Sequence, residues 1–177
     1  MRLFLFTFLF ALQCCSSDIS TGEVDVLTPA GPENFEDGPT LSSEELVLND
    51  RALALVNAQR KSGCRCGNRN MPPVPALRVN SQLFAAAEVH ANDMRRMNNM
   101  RHQGSDGSDV GDRVTRQGYR WQAVGENIAR GYSSVEQVVQ GWFDSPGHCQ
   151  NMMSENFNEM ALAHDDLFWA QVLAAAR

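Results

Sequence analysis

Apolar residues recur at helical spacing through the first two thirds of the chain and give way to short apolar runs at its end. Ser42 and Glu45 form a capping box, after which Leu48, Ala52, Leu55 and Val56 share one face up to Gly63; this predicts a helix over 43–62. Pro72, Pro73 and Pro75 remove backbone donors and predict an extended connection over 71–76. Asn80 suits the N-cap of a second helix over 81–98, in which Leu83, Ala87, His90, Met94 and Met97 align. Ser133 and Glu136 form another capping box ahead of a third helix whose buried stripe is Val135, Val138, Val139 and Trp142. Ser145 before Pro146 starts a short fourth helix, with Ser145 as N-cap and His148 in the first turn. Met160–His164 and Phe168–Ala174, separated by Asp165 and Asp166, read as a hairpin. Helices first and antiparallel strands last define an α+β domain.

The chain opens differently. Arg2 precedes Leu3–Leu12, where only Thr7 is polar, and Gln13, Cys14, Cys15, Ser16 and Ser17 follow. This predicts a signal peptide over 1–15, because a bilayer span takes about 20 apolar residues and this run has half that number. Cys15 followed by polar residues, with Leu12 three positions before it, resembles a lipoprotein processing box; Gln13 and Cys14 depart from the small residues usual there. Secretion and lipidation at Cys15 both stay open, and either places the chain outside the cytoplasm, free or anchored to the cell envelope. Membrane association is expected only through such a lipid anchor.

Charge separates a linker from a domain. Residues 16–50 hold nine acids and no base, and 51–177 hold 14 bases and 12 acids. The acidic, Pro/Gly/Ser/Thr-rich stretch 16–43 is expected to act as a flexible tether, and 44–177 to fold as one domain. A nearly neutral domain lacks the basic field that grips phosphates, which excludes nucleic acid as a partner.

Export permits disulfides. Removal of the leader and lipidation of Cys15 leave Cys64, Cys66 and Cys149. Cys64 and Cys66 stand too near each other for an unstrained bridge, so the better pairing is Cys66 with Cys149, with Cys64 as the odd thiol of unassigned fate. His90 reads as a hydrogen-bonded core residue and His164 as a solvated turn residue. His102, which opens a Gly/Ser/Asp loop, and His148, at a helix N-terminus that disfavours the imidazolium, are the candidates for chemistry. Glu126, between apolar Val124 and Ile128, must be paired or hydrogen-bonded if buried. Two histidines and a glutamate match the open three-ligand set of catalytic zinc, against the alternative of a polar cluster bracing the fold. Asp106, Asp109 and Asp112 lack EF-hand spacing, and Met94, Met97 and Met100 read as core packing.

The ordered segments Leu53–Asn57, Asn80 through Ala91–Met94, His102 with Gly104–Gly107, Gly125–Ala129, Trp142 with Ser145–Met153, and Phe168–Val172 resemble the CAP superfamily of cysteine-rich secretory, antigen 5 and pathogenesis-related 1 proteins, in its bacterial SCP-like form. The resemblance implies a three-layer α-β-α sandwich with a small antiparallel sheet, and a cavity lined by two histidines and two glutamates able to hold zinc or another divalent metal. By motif, His102, His148 and Glu126 take three of these places. Ser145, beside Asp144, stands where the second glutamate is expected; serine is a poor ligand and no carboxylate base, so metal binding should be weak and catalysis disfavoured. The function so implied is an exported module that binds a protein, lipid or cell-envelope partner. The alternatives are a metal-dependent hydrolase using Glu126 with His102 and His148, and lipid or sterol binding.

Overall fold

The computed structural model describes residues 39–177; the expected signal peptide, Cys15 and most of the acidic linker lie outside the described residues. Helix α1 (Ser43–Ser62) begins at Ser42 with both halves of the capping box formed. Its buried stripe is Asn49, Ala52, Val56 and Arg60, so two polar residues occupy places for which an apolar pattern gives no signal, and Leu48 and Leu55 flank the core. Both polar residues are satisfied by the main chain. Asn49 donates to the Leu162 carbonyl at 2.9 Å and accepts from the Leu162 amide at 2.8 Å. Arg60 donates to the carbonyls of Pro75, Met152, Ser154 and Phe157. Burial lowers its pKa to about 10, which leaves it charged at neutral pH.

Strands β1 (Cys64–Cys66) and β2 (Arg69–Met71) form a separate hairpin, and the proline-rich connection leads to β3 (Arg78–Val79). Asn80 caps α2 (Ser81–Arg96) by accepting from the amides of Gln82 and Leu83. The helix ends before Met97, where the chain turns at Asn98 with φ of 47°. Met97 and Met100 are therefore exposed, contrary to the core packing expected of them; Met94 alone of the three is buried. Helix α3 (Val110–Arg116) starts from an Asp109–Asp112 capping box, and β4 (Trp121–Arg130) follows it.

Ser134, not Ser133, caps α4 (Val135–Asp144), which moves Gln137 into the place expected for Glu136. Glu136 instead pairs with Arg51 of α1 at 2.7 Å. Ser145 occupies the N-cap of α5 (Pro146–Met152) as expected, but its hydroxyl makes no cap hydrogen bond, and Pro146 initiates the turn. The final hairpin is β5 (Glu159–Asp165) and β6 (Phe168–Ala176).

The main sheet runs β3-β5-β6-β4, antiparallel except for the two-residue parallel pairing of β3 with β5. Strand alternation sorts the core into two layers. Ala161, Ala163, Phe168, Ala170, Val172 and Ala174 pack under α2 and α3. Met160, Leu162, Trp169 and Leu173 face α1, α4 and α5, where Trp142 is buried and donates to the Ile128 carbonyl. Each such large apolar side chain contributes about 1.5–3 kcal/mol of transfer free energy. The result is the expected α-β-α sandwich.

Candidate functional site

Strand β4 lies at an edge of the sheet, and its alternation divides the polar residues of Gly125-Glu126-Asn127 between the two layers. Glu126 shares the α2–α3 side with Val124 and Ile128, and Asn127 faces α5. Glu126 is 7% exposed, and both of its oxygens are held. Oε1 lies 2.8 Å from His102 Nδ1, and Oε2 accepts from Arg113 Nη2 at 2.6 Å. Arg113, itself buried, also donates to the carbonyls of Ser108 and His102, which clamps the loop between α2 and α3 onto the carboxylate.

His90 is fully buried, with Nε2 donating to the Arg101 carbonyl at 2.9 Å and lying 3.7 Å from Glu126 Oε1. Burial pushes its pKa down, against the opposing pull of Glu126, and favours the neutral ring. It is the hydrogen-bonded core histidine expected from its place on α2. Its Nδ1 and Arg113 Nε are buried without a hydrogen-bond partner among the described residues. Both residues line one cavity of about 380 Å³, together with Asp93, Arg96, Ser105 and Ser108. A neutral His90 that donates from Nε2 offers an acceptor at Nδ1, whereas Arg113 Nε offers a donor.

An amide ladder seats α5 against the back of β4. Asn127 donates to Gln171 Oε1 at 2.8 Å and to the His148 carbonyl at 3.3 Å, and Asn151 donates to Asn127 Oδ1 at 2.9 Å and to the Glu126 carbonyl at 3.3 Å. Burial and then the neighbouring His102 lower the His148 pKa, while the hydrogen bond to Glu126 raises that of His102. Asp144 is exposed and accepts from Gln140 at 2.9 Å, on the outer side of α4.

These residues fit a catalytic zinc centre poorly. With Nδ1 on Glu126, His102 would have only Nε2 to offer a metal, and Glu126 would then orient the ring from outside the coordination sphere. Glu126 is neutralised by a buried guanidinium that opposes a nearby cation, and serine replaces the other carboxylate. Two imidazoles remain as donors.

Cys66 and Cys149 form a disulfide that ties β1 to α5, and Cys64 is free among the described residues. The three sulfurs lie within 4.8 Å of one another, a grouping close enough for a metal ion if all were reduced. Elsewhere, Asp109 and Asp112 serve as the α3 cap and Asp106 pairs with Arg116. Exposed His164 stacks on Trp169, with ring centroids 4.3 Å apart. Arg113 and the Asn127–Gln171–Asn151 amides escaped the sequence reading. The Asp109–Asp112 capping box was the available signal for α3, and with it for Arg113 on a helix beside the His102 loop.

The α-β-α sandwich is the fold that the resemblance to SCP-like domains implies. The profile of the Cysteine-rich secretory protein family (CAP) matches residues 53–166, and the chain belongs to this family. The chain is 26% identical to the uncharacterized protein YkwD of Bacillus subtilis (strain 168) over 136 residues, which are 77% of this chain and 49% of YkwD. It thus spans about half the length of that relative. Among solved structures, an extracellular protein containing an SCP domain from Bacillus anthracis matches with a TM-score of 0.64 and 25% identity, over 77% of this chain and 45% of that one. An outer surface protein of Borrelia burgdorferi shares the fold with a TM-score of 0.60 at 14% identity, over 79% of this chain and 99% of that one. No helix among the described residues is long and apolar enough to cross a membrane.

Proposed function

We propose that the chain works outside the cytoplasm as a CAP-domain binding module whose cavity lined by His90, Asp93, Arg96 and Arg113 receives a protein or cell-envelope partner. In this reading it binds a divalent metal such as zinc only weakly, through His102 and His148. The observation that carries the reading is the state of Glu126. A general base for a metal-bound water directs a carboxylate oxygen at that water, whereas here one oxygen is directed at His102 and the other at the Arg113 guanidinium. Such pairing suits a group that fixes loop geometry. His90 and Arg113 both line the cavity with Asp93, Arg96, Ser105 and Ser108, a lining of hydrogen-bonding side chains that suits a polar group of a partner. The extracellular description of the Bacillus anthracis protein supports the location.

The test compares the purified protein before and after chelation. Binding to an isolated cell-envelope fraction, followed by surface plasmon resonance, should persist in EDTA and weaken in Arg113→Met. A peptidase or esterase activity that EDTA abolishes and Glu126→Gln abolishes, with the fold intact by circular dichroism, would replace this reading with the hydrolase.

A further inference from the structure

The geometry points to a thiol–disulfide exchange centre in the β1–α5 corner, in which Cys149 pairs alternately with Cys66 and Cys64 so that a buried disulfide becomes reachable by an external thiol. Cys64 and Cys66 stand two apart on β1, and alternation turns both side chains to the same face, toward α5. Cys64 Sγ lies 3.8 Å from Cys149 Sγ and 3.9 Å from Cys66 Sγ, so a free thiol touches both sulfurs of the bond. These near-equal distances set it beside the bond, and attack in line with it takes a rotation of the Cys64 side chain.

Exposure gives the exchange its consequence. Cys66 and Cys149 are each 1% exposed, and Cys64 is half-buried. The Cys66–Cys149 bridge is thereby shielded from thiols in solution, while a bridge that includes Cys64 has one half-buried, more accessible partner.

The chemistry closes without a further reagent in its first step. The Cys64 thiolate attacks Cys149 Sγ; the Cys64–Cys149 bond forms, the Cys66–Cys149 bond breaks, and Cys66 leaves as a thiolate that takes up the proton Cys64 released. No net oxidation occurs. In the second step an external dithiol attacks Cys64 Sγ, forming a mixed disulfide and expelling the Cys149 thiolate. Its second thiol then attacks its own sulfur in the mixed disulfide, and Cys64 leaves. The dithiol is oxidised to a disulfide, and the protein is reduced from one disulfide and one thiol to three thiols. Burial holds the Cys64 thiol above its usual pKa, which keeps the thiolate fraction small at neutral pH and the first step slow.

Tryptic cleavage after Arg65 puts Cys64 on peptide 62–65 and Cys66 on peptide 66–69, so the two isomers are separable. The wild-type protein, held for hours at neutral pH, is quenched in acid and labelled with N-ethylmaleimide under denaturing conditions. Exchange predicts label on both peptides and both bridges to Cys149; label confined to 62–65 overturns the proposal. In Cys66→Ser, Cys149 should be recovered bridged to Cys64, and a free Cys149 in the folded variant counts against it. The third arm uses dithiothreitol as the probe dithiol. Reduction of wild type should be about tenfold faster than of Cys64→Ser, and equal rates would contradict the relay.

Discussion

Replacing Arg113 with methionine isolates what holds the candidate site together. The guanidinium is 2% exposed and makes one ion pair, with Glu126 at 2.6 Å, besides donating to the carbonyls of Ser108 and His102. Methionine fills much of the volume and supplies none of these donors. Removing one partner of a buried pair costs about 3–5 kcal/mol, because the remaining charge stays desolvated. His102 offsets part of this, since it still faces Glu126 Oε1, but its side chain is 62% exposed and its charge is screened. The loss should therefore fall near 3 kcal/mol, a large share of the 5–15 kcal/mol by which such a domain is stable. Urea unfolding of the oxidised protein, followed through Trp121, Trp142 and Trp169, measures it. Glu126→Gln and the double variant complete a cycle whose coupling should reach about 2 kcal/mol. A loss below about 1 kcal/mol, with additive single effects, would refute the bracing role.

Other variants probe the remaining buried polar groups. Arg60→Met strands four carbonyls and should cost roughly 3–5 kcal/mol by the same unfolding assay. His90, with its pKa lowered by burial, makes the folded state bind fewer protons than the unfolded chain below the unfolded pKa of about 6.5; stability falls as pH drops. Between pH 7 and 5 this amounts to at most about 2 kcal/mol, and the pH dependence of Tm should flatten by that share in His90→Gln. Cys149→Ala opens a link between residues 83 apart and should cost up to about 4 kcal/mol. Cys66→Ala should cost less, because Cys64 can take its place.

Helices α1, α2, α4 and α5 and the last hairpin were legible because their signals are local, whereas α3 was missed despite its Asp109–Asp112 capping box. Ser42 with Glu45, Asn80 before Ser81, Ser145 before Pro146 and the apolar runs around Asp165–Asp166 each act through neighbouring residues. Strand β4 was not: Gly125, Glu126 and Asn127 put polar groups on both faces and erase the alternation that marks a half-buried strand. The stripe of α1 was misaligned for the same reason, since Asn49 and Arg60 are buried by main-chain groups far along the chain, at Leu162 and at Met152–Phe157. Local context singled out His102, His148 and Glu126, and family likeness assigned them to one cavity. It gave no sign of Arg113, which changes the chemistry of Glu126 by occupying one of its oxygens. Ser133 and Ser134 are adjacent, so a capping pattern alone could not choose between them, and the choice redirects Glu136 to Arg51.

The most direct test is zinc titration calorimetry on the purified protein with Cys64 alkylated, so that the three-sulfur corner cannot contribute. The account predicts weak binding that disappears in either His102→Ala or His148→Ala and strengthens when Arg113→Met removes the opposing charge. Tight one-to-one binding by the wild-type protein, lost in Glu126→Gln, would contradict it and make that carboxylate a metal ligand.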